Sequence, residues 1–378
     1  MATLRALDRR ALNRALMERQ FLLSRVHRTP LDVIGRLVGL QSQIPLNPYT
    51  ALWSRIAGFD PAEASALLAE RRTVRLSTLR GTIHLHDVDD ALTLRAFTQP
   101  VHDATPFGER AVFRGPLAGV EPETLWAAAR ELLDAGPLTP AKLGAALAER
   151  FPGCEPAALG TAVRYKFSLV QVTPRGEWGR SRAATLATVE SWLGRPQQRP
   201  DVEAIVLRYL AAFGPASVQD AQSWSGVTRL GEVFELLRPR LAVFADAVTG
   251  RELFDLPDAP RPDPETPAPP RFLPDYDNVL IGHADRSRVL AERDRAELFA
   301  RGNGYRPALL VDGRLGGAWS YTRPKRKGEP AALEIELFAR QSAAVRERIE
   351  AEAAELLTFL APDATERTVA LHPSARRA

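Results

Sequence analysis

The feature that most constrains this fold is a helix-boundary signal that recurs along the chain. Gly136-Pro137-Leu138-Thr139 and Gly214-Pro215-Ala216-Ser217 each follow one amphipathic helical pattern and precede another. Glycine and proline end the first helix, and the Thr or Ser side chain caps the next one. Arg28-Thr29-Pro30-Leu31 occupies the same place nearer the N-terminus. The recurrence predicts three tandem helix-turn-helix units.

The helical units are followed by short extended segments of the kind that form a wing. In the first unit these are residues 74–77 and 82–85, joined across Gly81. In the second unit, residues 169–178 predict two short strands around a Pro-Arg-Gly turn. Three helices followed by a hairpin is the order of a winged helix. The predicted units are residues 1–115, 116–196 and 197–256.

A proline-rich stretch, residues 257–271, separates these units from the rest of the chain. Proline lacks the amide donor that helix interiors and central strands need, so the stretch predicts an extended linker. Beyond it, apolar runs between Gly and Asp turns predict a β-rich domain over residues 272–378 with a closing helix at 342–360. The predicted strands are residues 278–282, 306–311, 315–321 and 332–337. The predicted fold class is α+β and mostly α, with three winged helices and a C-terminal β-barrel-like domain.

Composition and missing motifs exclude several functions. The 378-residue chain has a single cysteine, which excludes an intrachain disulfide framework and multi-cysteine metal sites. The sequence has no long apolar run and no signal-peptide core, so we expect a cytoplasmic, nucleoid-associated protein without membrane contact. It also lacks a Gly-x-Ser-x-Gly elbow, a Walker loop and a dinucleotide fingerprint, so acyl transfer, nucleotide hydrolysis and hydride transfer lose their usual sequence support. We expect neither a metal nor another cofactor, because the His84-x-His86 pair has no further ligand nearby in the sequence.

Basic residues concentrate near predicted turns. The net charge is only +4, but all 50 basic residues except Lys142, Lys166, Lys325 and Lys327 are arginine, which suits bidentate phosphate contacts. Cations at wing-like turns could line one groove along DNA, or they could be ordinary solvated turn charges. The turn cations are Arg75 and Arg80 in the first unit, Arg175 in the second, and Arg323, Lys325 and Arg326 in the C-terminal domain.

Four ordered motifs resemble one protein family across nearly the whole chain. They are residues 39–45 (Gly-Leu-Gln-Ser-Gln-Ile-Pro), 75–85 (Arg-Leu-Ser-Thr-Leu-Arg-Gly-Thr-Ile-His-Leu), 273–282 (Leu-Pro-Asp-Tyr-Asp-Asn-Val-Leu-Ile-Gly) and 310–314 (Leu-Val-Asp-Gly-Arg). Together they resemble the AlkZ/YcaQ group of winged-helix DNA glycosylases. The resemblance implies three winged helices and a C-terminal β-barrel-like domain around duplex DNA. It also implies removal of N7-alkylated purines and, in the AlkZ branch, unhooking of interstrand crosslinks made by genotoxic natural products.

The resemblance assigns the catalytic motif to Gln41-Ser42-Gln43, where Ser42 replaces the apolar middle residue of the family pattern. Alkylation at N7 already makes the purine cationic, so the base can leave without protonation by an acid. Water must then be held against C1′ while the sugar acquires oxocarbenium character. Gln41 and Gln43 can orient that water and stabilise the cationic sugar through their amide oxygens.

The expected partner is double-stranded DNA carrying alkylated purines, bound by a monomer. The predicted DNA-binding residues of the first two units are Arg75, Ser77, Arg80, His84 and Arg175. The segment that enters the minor groove is either the turn with His283 and Arg286, beside Asp277, or the one with Arg323, Lys325 and Arg326. The alternative function is a non-enzymatic winged-helix DNA-binding protein or transcription regulator. Three units in one chain, with the glutamine pair in the first, favour the enzyme.

Overall fold

The computed structural model describes residues 4–103, 115–180, 182–298, 305–322, 324, 326 and 328–373. Within these residues the helices are α1 (Arg9–Arg19), α2 (Pro30–Arg36), α3 (Asn47–Trp53), α4 (Pro61–Ala69), α5 (Val88–Phe97), α6 (Gln99–Asp103), α7 (Pro122–Asp134), α8 (Pro140–Arg150), α9 (Pro156–Lys166), α10 (Val189–Leu193), α11 (Val202–Phe213), α12 (Val218–Ser225), α13 (Gly231–Leu237), α14 (Asn278–Ile281), α15 (Arg295–Leu298) and α16 (Ala343–Leu360). The strands are β1 (Ala6–Leu7), β2 (Leu40–Gln41), β3 (Thr73–Ser77), β4 (Ile83–Asp87), β5 (Leu169–Gln171), β6 (Leu186–Thr188), β7 (Ala242–Asp246), β8 (Glu252–Asp255), β9 (Arg271–Leu273), β10 (Ala308–Val311), β11 (Arg314–Thr322), β12 (Ala331–Leu337) and β13 (Arg367–Pro373).

The predicted helix boundaries are confirmed at all three repeats. Thr29 and Thr139 each accept a first-turn backbone N–H, and proline follows each of them at the start of α2 and α8. Ser217 forms a reciprocal capping box with Asp220 at the start of α12. Each cap satisfies amide donors that a helix leaves without an internal partner. The same local chemistry therefore begins a helix at three places in the chain.

One five-stranded sheet joins the first two predicted units. Its strand order is β2-β4-β3-β5-β6, and β3 pairs with β5 so that Arg75 lies opposite Gln171. The next strand along the chain that pairs with β5 is β6, which begins only at Leu186, so the predicted strand that reaches residue 178 is wrong. That segment turns inward instead, because Trp178 packs against Tyr49 with ring centroids 5.0 Å apart. Strands thus cross the predicted unit boundaries, and the division into three winged helices stays a prediction.

The C-terminal sheet is open in the residues that the structure describes. Its order is β13-β12-β11-β10-β9, with β12 and β13 parallel and the other pairs antiparallel. The expectation of a barrel-like domain is therefore not met, since β13 and β9 do not pair with each other. Helix α16 covers one face, where Ile349, Leu356 and Leu357 are buried against β-strand residues. A third, three-stranded sheet pairs β1 near the N-terminus with β7, which in turn pairs with β8.

The segment after the linker differs from its predicted form. Residues 278–281 form helix α14, because the Asp277 carboxylate caps it by accepting the Val279 N–H. The same carboxylate receives two hydrogen bonds from Arg55, at 2.8 and 2.9 Å, and both side chains are buried. This ion pair joins the C-terminal part to the end of α3. The strand prediction for residues 278–282 was wrong, and Asp277 has a structural role.

Candidate active site

A two-residue strand places the predicted catalytic segment at the edge of the five-stranded sheet. Gln41, the last residue of β2, lies opposite His84 of β4. Ser42 continues the pairing, because its N–H donates to the Ile83 carbonyl at 2.8 Å. Gln43 then begins the turn that leads into α3. The two glutamines therefore flank the last paired residue of the edge strand.

The two glutamines differ in exposure and in their contacts. Gln41 is 7% exposed, whereas Gln43 is an exposed residue. The backbone N–H of Gln43 points to Gln41 Oε1 at 3.4 Å, and Gln43 Oε1 accepts the Ile83 N–H at 3.3 Å. Both amide oxygens thus take part in fixing the turn. Gln43 therefore lies at the protein surface, and Gln41 lies mostly beneath it.

Arg75 holds the residue between the glutamines. Its Nε donates to Ser42 Oγ at 2.8 Å and its Nη2 to the Ser42 carbonyl at 2.7 Å, while Nη1 donates to Gln171 Oε1 at 2.7 Å. Burial, together with the nearby Arg175 charge, lowers the pKa of Arg75 to about 10, so it stays protonated at neutral pH. The Ser42 hydroxyl thus accepts a hydrogen bond from a buried guanidinium. An apolar side chain at this position could not accept that bond. Because Arg75 is only 1% exposed, the expectation of a direct phosphate contact does not fit its position.

A glycine and a distant asparagine fix the start of the same edge strand. Gly39 has φ +92°, and a Cβ there would come within 2.3 Å of the His86 ring. Its carbonyl accepts a hydrogen bond from Asn278 Nδ2 at 2.8 Å. Two of the four sequence motifs, around Gly39 and around Asn278, therefore meet directly. Sequence reasoning missed this contact. Its only signal in the sequence was that the two motifs occur in the same chain.

His84 and His86 lie on the same face of β4, and both are buried. The Nδ1 of His84 bonds to the Thr82 carbonyl at 2.9 Å, and its Nε2 faces an Arg80 nitrogen at 3.4 Å. Burial lowers the pKa of His84 well below its ordinary value, and the Arg80 charge acts in the same direction. His84 is therefore neutral and enclosed, which does not fit the predicted direct contact with DNA.

Arg80 and Ser77 also contact other parts of the protein. Arg80 has φ 55°, is half-buried, and donates to the Trp224 carbonyl of α12. Burial and the Arg286 charge lower its pKa to about 10. Ser77 Oγ bonds to His102 Nε2 at 3.0 Å. The Arg286 charge therefore acts on Arg80. Ser77 is partly covered by other residues.

The remaining predicted cations fall into three groups. Arg175 is half-buried and donates to Gln171 Oε1 at 3.3 Å, the oxygen that also receives Arg75. Arg286 is half-buried, whereas His283 is buried and its Nε2 donates to the Phe213 carbonyl at 3.0 Å. Burial and the Arg288 charge lower the pKa of His283 to about 3, so the predicted entry of this ring into a groove does not fit the structure.

The third group is the hairpin between β11 and β12. Arg323 and Lys325 lie outside the described residues, and Arg326 is exposed. Sequence reasoning also missed Gln171, which bridges Arg75 and Arg175. Its position opposite Arg75 follows from strand register, which was not predicted across the two units.

Within the described part of the chain, no group of three His, Cys, Asp or Glu side chains is placed to hold a metal ion. The donors at the glutamine turn are amides, a hydroxyl and a guanidinium. Among the helices of that part, none has the length and apolar character needed to cross a membrane. The arrangement can orient water and polar substrate atoms by hydrogen bonds.

Comparisons with known proteins agree on one family. The family profile described as DNA glycosylase AlkZ-like matches residues 34–359. An interstrand DNA cross-link repair glycosylase of Streptomyces sahachiroi is 25% identical over 326 residues, covering 80% of this chain and 85% of that protein. The solved structure of Streptomyces sahachiroi DNA glycosylase AlkZ superposes with a TM-score of 0.77 at 21% identity, covering 97% of this chain and 100% of the other.

Proposed function

The chain belongs to the AlkZ-like DNA glycosylase family, and we propose that it hydrolyses the N-glycosidic bond of cationic N7-alkylated purines in duplex DNA. The observation that carries this proposal is the exposed residue Gln43, whose amide oxygen is anchored at a sheet edge next to Gln41. An anchored amide offers both a donor and an acceptor to a water molecule. Membership of the family indicates that the substrate is DNA. The glutamine turn provides the groups that would bind and orient the attacking water.

In the proposed reaction, the oxygen of a water molecule bonds to C1′ while the C1′–N9 bond breaks. The electron pair of that bond neutralises the alkylated purine, which leaves as a neutral base, and one proton of the water passes to solvent. Gln43 orients the water, and amide oxygens stabilise positive charge on the sugar. Gln41, being mostly buried, positions the Gln43 backbone. Neither amide acts as a strong base, so the reaction depends on a base that is already cationic.

We propose a monofunctional hydrolase that does not cleave the DNA strand. Strand cleavage by a glycosylase through a Schiff base requires an amine nucleophile. The sequence has no lysine before Lys142, and the glutamine turn is surrounded by amide, hydroxyl and guanidinium groups. The product of this reaction is an abasic sugar, which alkali and heat convert to a strand break.

We propose that the DNA path runs over the exposed and half-buried cations, with Arg175 on one side of the glutamine turn. Arg80 and Arg286 are both half-buried, and each would neutralise a phosphate. The exposed Arg326 fits a contact at the hairpin between β11 and β12. Each phosphate neutralised adds to the salt dependence of binding.

The exposure of the glutamine turn also fits interstrand crosslinks as substrates. A base tied to both strands cannot be turned out of the helix into an enclosed pocket. Gln43 lies at the surface, so a crosslinked purine could meet it without leaving the duplex. The similar Streptomyces sahachiroi protein bears the name of a cross-link repair glycosylase. We therefore propose that this chain accepts crosslinks as well as single adducts.

The test is excision of N7-methylguanine from duplex DNA, followed by heating in alkali. Wild-type protein should give strand breaks at the lesion, while Gln43→Ala and Gln41→Ala should lower the single-turnover rate by on the order of 100-fold, because the attacking water loses its orientation. Gln198→Ala is the matched control, because Gln198 is an exposed glutamine outside the turn. Undiminished excision by both turn variants would refute the assignment. Binding of undamaged DNA without excision would instead indicate a non-enzymatic DNA-binding protein.

A further inference from the structure

A buried histidine lies directly opposite the glutamine turn. His84 of β4 pairs with Gln41 of β2. Side chains of directly opposite residues in an antiparallel pair share one face of the sheet, with their Cβ atoms roughly 4.5–5.5 Å apart. His84 is only 1% exposed. Its ring therefore lies inside the protein, on the same face of the sheet as the Gln41 side chain.

One peptide group connects His84 to the second glutamine. The Nδ1–H of His84 donates to the Thr82 carbonyl at 2.9 Å. That carbonyl and the Ile83 N–H belong to the same planar peptide group and point in opposite directions. The Ile83 N–H is the donor that holds Gln43 Oε1, at 3.3 Å. A rotation of this peptide group therefore moves the anchor of the Gln43 side chain.

The Thr82 carbonyl accepts a second hydrogen bond. The Thr78 N–H donates to it at 3.0 Å, and a carbonyl oxygen has a lone pair for each of the two donors. The backbone donor approaches along the sheet, whereas His84 reaches the oxygen from the face on which its ring lies. A single donor allows the peptide group to rotate about one bond. Two donors from different directions restrict that rotation, so the histidine adds to the backbone pairing.

The contacts of the ring fix which nitrogen carries the hydrogen. A carbonyl oxygen only accepts, so Nδ1 carries the hydrogen, and Nε2 of the neutral ring is an acceptor. Nε2 faces an Arg80 nitrogen at 3.4 Å, and the same arginine donates to the Trp224 carbonyl near the end of α12. Burial and the Arg80 charge lower the pKa of His84 well below its ordinary value. The ring therefore stays neutral at neutral pH, with its donor directed at Thr82.

We propose that His84 is a positioning residue for the glutamine turn, which orients the peptide group between Thr82 and Ile83 and thereby aligns the Gln43 amide with the attacking water. The inference rests on the proposed glycosylase function and adds to it a residue that acts through Gln43. Loss of the Nδ1 donor then slows the chemical step and leaves the affinity for DNA unchanged. Because a displacement of about 1 Å can cost on the order of 100-fold in rate, we expect a loss on the order of 10–100-fold.

The test is single-turnover excision of N7-methylguanine at saturating protein, with the Kd of the same duplex measured by fluorescence anisotropy. His84→Leu removes both ring nitrogens and should slow excision on the order of 10–100-fold with Kd unchanged. His84→Asn returns an N–H donor at the position of Nδ1 and should restore nearly the wild-type rate. His102→Leu is the matched control, because His102 is also buried and its nitrogens bond to Ser77 and Thr98 instead.

A double variant separates positioning of Gln43 from a general loss of structure. If His84 acts through Gln43, Gln43→Ala combined with His84→Leu should excise no more slowly than Gln43→Ala alone, because the amide that His84 aligns is already absent. Losses that multiply would show two independent effects and overturn the proposal. Equal slowing by His84→Leu and His84→Asn would also overturn it. A raised Kd with an unchanged saturated rate would show that His84 contacts DNA instead.

Hydrogen exchange at the Ile83 amide gives a readout that needs no activity. Gln43 Oε1 accepts this N–H, so Gln43→Ala and His84→Leu should both speed its exchange, and His84→Asn should preserve the wild-type protection. Failure of the wild-type protein to excise N7-methylguanine would refute the glycosylase function, and the exchange measurement alone would then decide on His84. Equal protection of the Ile83 amide in wild type and His84→Leu would refute the positioning role.

Discussion

Replacement of Arg75 by methionine tests whether this residue positions the glutamine turn or contacts DNA. Arg75 makes three hydrogen bonds of 2.7–2.8 Å, two to Ser42 and one to Gln171, and is almost fully buried. A hydrogen bond from a charged group contributes about 1.5–3 kcal/mol, but removing a buried cation recovers part of its desolvation cost. Arg75→Met should therefore lower the free energy of unfolding by about 2–4 kcal/mol. A turn displaced by about 1 Å should lose on the order of 100-fold in single-turnover rate.

The assay combines urea unfolding, single-turnover excision of N7-methylguanine, and DNA affinity at several salt concentrations. Arg175→Met is the reference variant for a phosphate contact, because it removes the same charge from a half-buried arginine that lies on the proposed DNA path and contacts the same Gln171 oxygen. For a positioning residue, Arg75→Met slows excision and leaves the salt dependence of binding unchanged. A slope reduced by about one charge, with an excision rate near that of wild type at saturating protein, would show that Arg75 touches phosphate and would refute the reasoning.

Three further outcomes are expected. Arg55→Ala leaves the Asp277 carboxylate buried without the guanidinium that donates two hydrogen bonds to it. The free energy of unfolding in urea should therefore fall by about 3–5 kcal/mol, and a fall below about 1 kcal/mol would contradict the pairing. Burial lowers the pKa of His86 and of His102 from 6.5 to about 4. The unfolded state binds more protons in that window, so stability in urea should fall as pH drops from 6.5 to 4, and Asn at both positions should flatten the slope. Ile44, 44% exposed beside the glutamine pair, suits an apolar wedge, so Ile44→Asn should weaken lesion-duplex binding by anisotropy about fivefold, whereas unchanged affinity would exclude that contact.

The helix boundaries could be predicted because their determinants are local. Thr29, Thr139 and Ser217 cap their helices through hydrogen bonds that span only three residues. Residues 278–281 were assigned to a strand because a short apolar run has no periodicity that distinguishes a strand from a helix. The capping carboxylate of Asp277 was the local signal for a helix there, since Asp is a preferred N-cap residue.

The predicted site residues show a different limit. Arg75, His84 and His283 are placed near turns by the sequence, but the structure buries all three. Whether a turn cation faces solvent depends on which other segments pack over it, and those contacts span large sequence distances. The Arg75 guanidinium reaches Ser42 and Gln171, which are 33 and 96 residues away. The glutamine pair itself can be identified from a short sequence motif. How exposed the two glutamines are and which groups anchor them can be read only from the structure.

The exposure of Gln43 also limits which glycosidic bonds this site can break. Hydrogen bonds at a solvated surface contribute only about 0.5–1.5 kcal/mol each, because water competes for the same groups. A closed site would gain more from its dipoles, since electrostatic stabilisation is strongest where water is excluded. An exposed amide anchored by a 3.3 Å contact therefore contributes mainly orientation. In the proposed reaction, most of the lowering of the barrier must then come from the positive charge that alkylation places on the purine. For this reason we expect an open site of this kind to admit crosslinked or bulky lesions and to leave undamaged purines in place.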